Sequence, residues 1–273
     1  MRKKIASVMI GTAVAFTLYQ SKINAEPITK PTVNLQEQNT MSVLWFQSSG
    51  EAKALYYQGY NLAKMRLDEL LKKKPKNSLR KPAIVLDIDE TIVDNSPNLA
   101  RNIKTGKGNP VNWNKWIDRA EAKPLPGAVE FLTYVNAKGV EIFYISNREE
   151  AQKAATIRNL KRIGAPQADA QHVLLQQPDE EGKETRRQQV AKKYEILLLF
   201  GDNLGDFSGF DNLSASGRIQ AVERKKAEFG KKLIVFPNPM YGDWEGAIYN
   251  YDYSISDVEK NKLRKDNLQP FQP

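Results

Sequence analysis

Short apolar runs that alternate with helix-length segments set the limits on this fold. Ala83–Leu86, Val140–Ile145, Val173–Leu175, Ile196–Phe200 and Leu233–Phe236 are brief and rich in β-branched or aromatic residues. They are close to continuously apolar rather than alternating, as expected of strands buried on both faces in a helix-covered parallel sheet. Between or after them, Pro126–Ala137, Glu149–Ile163, Thr185–Lys193 and Ala215–Phe229 have helical length, and Gly139, Gly164 and Gly230 follow three of them. A glycine just past a helix supplies the left-handed backbone that ends it. The β-α-β-α order predicts an α/β protein with a Rossmann-like three-layer α/β/α core around a parallel sheet.

Three segments fall outside that alternation. Residues 26–40 read as an extended lead-in. Residues 41–74 predict one long helix with Leu44, Ala52, Leu55, Leu62, Met65, Leu67 and Leu70 as its apolar residues. Lys72, Lys73 and Lys74 sit at its dipole-favoured end, and Pro75 stops it. Residues 95–125 are polar and carry Gly106, Gly108, Pro110, Trp113 and Trp116. With 41–74 they are expected to form a small α-helical cap. A short helix from Asp257 and an unstructured end over 269–273 complete the chain.

Arg2, Lys3 and Lys4 precede a mostly apolar stretch from Ile5 to Tyr19, the pattern of a secretory signal peptide over residues 1–25, with cleavage after Ala25. A retained N-terminal anchor is the alternative. Cleavage would remove Arg2, Lys3, Lys4 and Lys22 and no acid, lowering the formal charge from +9 to +5. That charge, without a basic tract matched to a nucleic-acid module, argues against a stable nucleic-acid partner. The chain has no cysteine, which excludes disulfides, thiolate chemistry and a lipid-bearing cysteine at the cleavage site. The mature chain is therefore expected to be released, bacterial and extracellular or at the cell surface, with no membrane anchor. Oligomeric state stays open, a dimer being one option.

In open α/β sheets, ligands bind beyond the carboxyl ends of the strands. Asp87, Asp89 and Thr91 follow the first predicted strand. Ser146, Asn147 and Arg148 follow the second, and Gly201-Asp202-Asn203-Leu204-Gly205-Asp206 follows the fourth. Lys183 precedes a helix on the same side of the alternation. Four carboxylates brought together resist ionising unless a cation joins them. An all-oxygen donor set suits Mg²⁺. The same set suits phosphoryl transfer: a carboxylate nucleophile, a second carboxyl for proton transfer, and a hydroxyl and an ammonium for the phosphoryl oxygens.

At these residues the chain resembles the haloacid dehalogenase-like phosphatases. Asp87-Ile88-Asp89-Glu90-Thr91, Ser146, Lys183 and Gly201-Asp202-Asn203-x-x-Asp206 are similar, in order, to that superfamily's four motifs. Asp94-Asn95-Ser96, Pro126-Gly127-Ala128-Val129-Glu130-Phe131, Ser146-Asn147-Arg148, Asp206-Phe207 and Tyr241-Gly242-x-Trp244-Glu245 extend the likeness to the class C bacterial non-specific acid phosphatases, over about residues 40–260. The resemblance implies a secreted, Mg²⁺-dependent acid phosphatase, residues 26–273, acting on small-molecule phosphomonoesters through an aspartyl-phosphate. Nucleoside monophosphates, and so a 5′-nucleotidase activity, fall within that expectation, as does phosphate or nucleoside scavenging outside the cell. Asp87 would be nucleophile and metal ligand. Asp89 would be general acid/base and bind metal through its backbone carbonyl. Asp202 would be the third ligand, with Asp206 behind it holding a metal-bound water. Ser146 and Lys183 would hold the phosphoryl group, with Lys192 and Lys193 as fallbacks for Lys183.

Each residue also has a plainer reading. Ser146 could cap a helix, Lys183 could be a solvated surface lysine, and Arg148 could support the site or pair with Glu149. His172, the one histidine, lacks the basic cluster of a histidine-nucleophile enzyme and reads as structural. Among the aromatics, Trp116 is assigned to the core. Tyr241 and Trp244 are candidates to stack on a flat substrate base. A phosphotransferase with an alcohol acceptor, and a non-enzymatic surface protein keeping the fold, are the rival functions.

Overall fold

A computed structural model describes residues 33–75, 78–108 and 112–272. The signal-peptide reading and residues 26–32 of the lead-in lie outside the described residues. Within them the expected alternation produces five parallel strands: β1 (Lys81–Leu86), then β4 (Glu141–Glu149), β5 (Val173–Gln176), β6 (Tyr194–Gly201) and β7 (Leu233–Val235). Two short strands, β2 (Val93–Asp94) and β3 (Lys123–Pro124), pair antiparallel as a separate ribbon.

The sheet order is β5-β4-β1-β6-β7. The chain winds outward from β1 through β4 to β5, then crosses back to β6 on the other flank. The winding therefore reverses at β1, which is where an open α/β sheet leaves a crevice at its carboxyl edge. Strand periodicity builds the three layers. Ile84 and Leu86 join one core cluster, with Ile142 and Tyr144, whereas Ala83 and Val85 join the opposite one, with Phe143 and Ile145. Successive side chains point to opposite faces, so one buried strand feeds both cores.

Helices cover both faces. On the first lie α2 (Gly50–Lys73), α5 (Ala128–Ala137) and α6 (Lys153–Arg162), through residues such as Leu67, Leu132 and Leu160. On the second lie α7 (Glu184–Lys193) and α8 (Ala215–Lys225), through Val190 and Ala221. A short helix α9 (Asp243–Gly246) and a terminal helix α10 (Asp257–Asp266) follow β7. No helix of the described residues is long and apolar enough to cross a membrane.

The single helix expected over 41–74 is two. The first, α1 (Thr40–Ser48), ends at Ser49, whose backbone is extended and whose hydroxyl accepts from Ala52 N at 3.0 Å, starting α2 as a side-chain N-cap. The buried face of α2 keeps Ala52 and Leu67 of the expected apolar residues, with Leu62 and Leu70 partly buried against the core, but adds Tyr56, Tyr60 and Ala63, while Leu55 and Met65, and Leu44 on α1, are exposed. The tyrosines occupy that face because each has an apolar ring and a polar end. Their rings pack on Phe236, with centroids at 4.9 Å for Tyr56 and 4.6 Å for Tyr60. The Tyr56 hydroxyl donates to the Glu90 carbonyl and the Tyr60 hydroxyl to the Thr91 carbonyl. α2 thus belongs to the layer over the sheet and pins the loop that follows β1.

The excursion expected at 95–125 begins and ends at the β2–β3 ribbon. It contains α3 (Ser96–Thr105) and α4 (Trp113–Arg119), with α1 against α3 and α4 against α6. Together these elements bring Leu99 and Trp113 to the carboxyl edge of the sheet.

Candidate active site

Asp87 is the first residue past β1. Its N–H donates to the Phe200 carbonyl of β6 at 3.0 Å, so the strand ladder itself sets its backbone. The side chain is buried and accepts from Lys183 Nζ. Lys183 also donates to Asp206 Oδ1 at 2.6 Å. Carboxylate oxygens of Asp87, Asp202 and Asp206 all lie within 4.8 Å of one another. Burial, with added repulsion from Asp206 and Asp89, pushes Asp87 up to about 7 despite the opposing charge of Lys183. Asp202 is pushed well up by burial and then by Asp206 and Asp87. Desolvation would lower the Lys183 ammonium, but its two carboxylate partners raise it instead. Two acids held against their preference beside a third leave a site that a hard cation relieves.

The 201–206 loop is shaped for this. Asp206 Oδ2 accepts from Asn203 N at 2.9 Å, which folds the segment into a single 3₁₀ turn and returns Asp206 towards Asp202. Gly201 makes the return possible: a Cβ there would lie 2.1 Å from Asp206 Oδ2. Asp202 is steadied by Asn238 Nδ2 at 2.8 Å and by Thr91 Oγ1 at 3.4 Å.

Asp89 lines the same cavity but has its own set of partners. Its carboxylate accepts from Arg148 Nε at 3.1 Å and Nη2 at 2.7 Å, from Ser146 Oγ at 3.0 Å, and from Asn95 Nδ2 at 2.8 Å. Burial alone would raise Asp89, but the Arg148 charge and these donors hold it below the ordinary carboxylate range. Sequence reasoning left Arg148 between the site and Glu149; it pairs with Asp89. β4 runs on to Glu149 rather than ending at Ile145, so Ser146 and Arg148 fall on one face and are buried, while Asn147 and Glu149 between and beyond them are exposed.

Glu90 and Asn95 also belong to the site, although their residue types gave them no role in the sequence. Glu90 is fully buried and raised well above its ordinary value, by burial first and then by Asp89 and Asp202. The Tyr241 hydroxyl donates to its Oε2, and Asn95 N to its Oε1 at 2.7 Å. Trp116, expected in the core, is half-buried against it and donates to Asn95 Oδ1 at 2.8 Å. The signal available in the sequence was proximity: Glu90 and Asn95 lie within six residues of Asp89.

Asp87, Asp89, Ser146, Arg148, Lys183, Asp202 and Asp206 all line one cavity of about 260 Å³, whose outer wall includes Leu99, Trp113 and Tyr241. Trp244 is exposed and lies outside that lining; its indole N–H donates to the Tyr241 carbonyl at 3.2 Å. Lys192 and Lys193, at the far end of α7, do not line it. A cleft of about 960 Å³ beside β5 is larger but holds none of these carboxylates. His172 is also remote from the cavity lining, its ring nitrogens at 2.8 Å from Asp169 and 3.0 Å from Glu141 near the start of β4.

A parallel sheet whose switch point gathers Asp87, Asp202, Asp206 and Lys183 defines an aspartate-based α/β site of the haloacid dehalogenase type. The sequence model of the HAD superfamily, subfamily IIIB (acid phosphatase), matches residues 4–244, and the chain belongs to that subfamily. The class C acid phosphatase from Bacillus anthracis is 56% identical and superposes with a TM-score of 0.85, over 88% of this chain and 100% of that one. Its tungstate-bound structure superposes with a TM-score of 0.86 at the same identity and coverage. Acid phosphatase 1 from Solanum lycopersicum is 23% identical over 165 residues, 58% of this chain, and the chain spans 57% of that protein's length.

Proposed function

We propose that this protein hydrolyses phosphomonoesters through an aspartyl-phosphate on Asp87, with a divalent cation, Mg²⁺ by donor chemistry, as cofactor. The observation that carries the reading is Asp87 itself: a buried carboxylate at the switch point, between an ammonium and two further carboxylates. The similarity to acid phosphatases supports it, as does tungstate, an oxyanion shaped like phosphate, in the Bacillus anthracis enzyme. The oxygen donors of Asp87 and Asp202 and the Asp89 carbonyl would hold the cation, with Asp206 behind them. Bound there, the cation offsets the charge of phosphate beside Asp87.

The chain's own groups then divide the reaction. An Asp87 oxygen attacks phosphorus as the bond to the ester oxygen breaks, and Asp89, as its acid, protonates the departing oxygen. Asp89, now a carboxylate, takes a proton from the water that attacks phosphorus. The Asp87–phosphate bond breaks and orthophosphate leaves. Lys183 and Ser146 meet the phosphoryl oxygens. The Ser146 hydroxyl donates to Asp89 in the free site, so binding phosphate makes it change acceptors. Asp89 then loses one of the bonds that keep it ionised, and moves towards the protonated form that the first step requires.

Substrate breadth follows from the cavity mouth. Trp113 and Tyr241 offer aromatic faces at the outer wall, and the Tyr241 ring is fixed through Glu90. A nucleoside monophosphate suits that wall, the base against the aromatics and the phosphate at Asp87. Export through residues 1–25 is part of the same reading and is carried by the sequence alone.

Orthophosphate release from p-nitrophenyl phosphate and adenosine monophosphate tests this. Release is expected with Mg²⁺, its loss with chelator, and its return when the cation is restored. Activity indifferent to chelator would remove the cation from the proposal, and no release from any monoester would remove the hydrolase. Tyr241→Ala should raise KM for adenosine monophosphate about tenfold and for a non-aromatic phosphomonoester far less, since stacking on one base contributes about 1–3 kcal/mol. Equal changes for both substrates would take Tyr241 out of base recognition.

A further inference from the structure

Lys183 occupies the N-cap position of α7, where the helix dipole disfavours a cation, and its flexible stem does nothing to aim the ammonium. One turn on, α7 carries two adjacent buried arginines, Arg186 and Arg187, each 3% exposed. Buried guanidinium groups persist only when their donors are used. Arg186 Nη1 donates to the Ser146 carbonyl at 2.6 Å, and Nη2 to Asn147 Oδ1 at 3.1 Å and to the Gly182 carbonyl. Its Nε lies 2.9 Å from Glu180 in an ion pair without hydrogen-bond geometry. Arg187 Nη1 donates to the Gly205 carbonyl at 3.2 Å, while Nε and Nη2 hold Glu184 at 3.1 and 2.8 Å. Ser208 Oγ grips the same Glu184 oxygen at 2.7 Å.

These partners lie on three neighbouring strand ends. Arg186 reaches the end of β4, Arg187 reaches the loop after β6, and Lys183 reaches Asp87 on β1 between them. We propose that Arg186 and Arg187 are positioning residues: a two-armed clamp that fixes the first turn of α7 across β4 and β6 and thereby holds Lys183 Nζ on Asp87 and Asp206. The clamp also joins the phosphate-binding groups, because Arg186 bonds the backbone of Ser146 and the carbonyl just before Lys183. A lysine cannot replace either arm, since one ammonium does not span carbonyls that a planar fork reaches together.

The proposal rests on the phosphomonoesterase reading for the use of Lys183, and its test has an arm that needs no turnover. Acetic anhydride labelling, read by peptide mass spectrometry, reports the accessibility of Lys183 against Lys74, a lysine with 13% side-chain exposure at the other end of the sheet. Arg186→Gln and Arg187→Gln should raise Lys183 labelling relative to Lys74 about tenfold through local opening. They should lower kcat about 10²-fold, the scale of a misplacement near 1 Å. Arg186→Lys should recover part of any lost Tm but not kcat. Arg80→Gln is the control: Arg80 is exposed and bonds the Ala191 carbonyl at 3.0 Å, at the far end of the same helix, so its loss should change neither readout.

Lys183 labelling that rises only in step with Lys74 would overturn the clamp. So would unchanged kcat in both glutamine variants, full recovery of kcat in Arg186→Lys, or an equal loss in Arg80→Gln. A wild-type protein without phosphatase activity would remove the reading of the reaction instead, and the labelling result would still decide the clamp.

Discussion

Asp87→Asn is expected to abolish turnover, lowering kcat by on the order of 10⁴-fold or more, as removal of an attacking group does. The amide keeps the shape and can still accept from Lys183, so the loss reads the nucleophile and not the cavity. The same substitution should leave the metal-free fold at least as stable as wild type. Burial and the neighbouring acids hold the wild-type carboxyl up at about 7, which means the folded protein resists its ionisation. Lys183 keeps Asp206 as a partner at 2.6 Å, so no buried ammonium is left bare. In the proposed mechanism, a nucleophile kept at a cost to the fold is the usual exchange of stability for activity. The measurements are single-turnover phosphate release and thermal unfolding without metal above pH 7. Substantial turnover in Asp87→Asn would end the aspartyl-phosphate mechanism. A large fall in Tm with activity lost would mean that the side chain serves mainly to hold the fold.

The carboxylates of this site were legible in the sequence because each lies within a few residues of a strand end. Parallel strands send those ends to one edge, so Asp87, Asp202 and Asp206 converge without knowledge of any distant contact. Lys183 was harder, since its loop follows no strand directly; two arginines on the next turn mark its place, but only their partners on β4 and after β6 show why. The face of α2 was legible only in part. Hydropathy favours Leu55 and Met65 beside the buried Ala52 and Leu67, whereas the central buried positions belong to Tyr56 and Tyr60, whose hydroxyls find carbonyls after β1. That preference depends on a partner more than 30 residues away, which no local period contains. The break at Ser49 had the opposite character: a serine followed by glycine is a local cap signal, masked by the apolar residues on either side. Arg148 turned on where β4 ends. Four further residues of strand put it on the same face as Ser146, and a strand end is the least certain boundary in a sequence.

The cation should change thermal stability most where the acids of the site would otherwise be losing their protons. Asp87 has a folded pKa of about 7 against 3.8 when unfolded, and Asp202 and Glu90 are raised in the same direction. An acid raised by folding adds stability that is complete below its unfolded pKa and is lost as pH rises through the folded one. Asp87 therefore makes the metal-free protein progressively less stable as pH rises from about 4 to about 7, and Asp202 and Glu90 act in the same direction. The carboxyls lowered by folding, Asp89 and Asp169 among them, act below that window, where their contribution falls away with acid. A cation binds the ionised acids and competes with their protons. At a hundredfold excess over its dissociation constant a ligand adds about 2.7 kcal/mol, and a domain of this size shifts its Tm by roughly 2–4 °C per kcal/mol. Mg²⁺ should thus raise Tm by about 5–10 °C near pH 8 and by progressively less towards pH 4. In Asp87→Asn both the shift and its pH dependence should shrink, because one cation donor and one of the raised acids are removed together. A Mg²⁺ effect constant from pH 4 to pH 8, or one equal in Asp87→Asn, would place the cation somewhere other than on these aspartates.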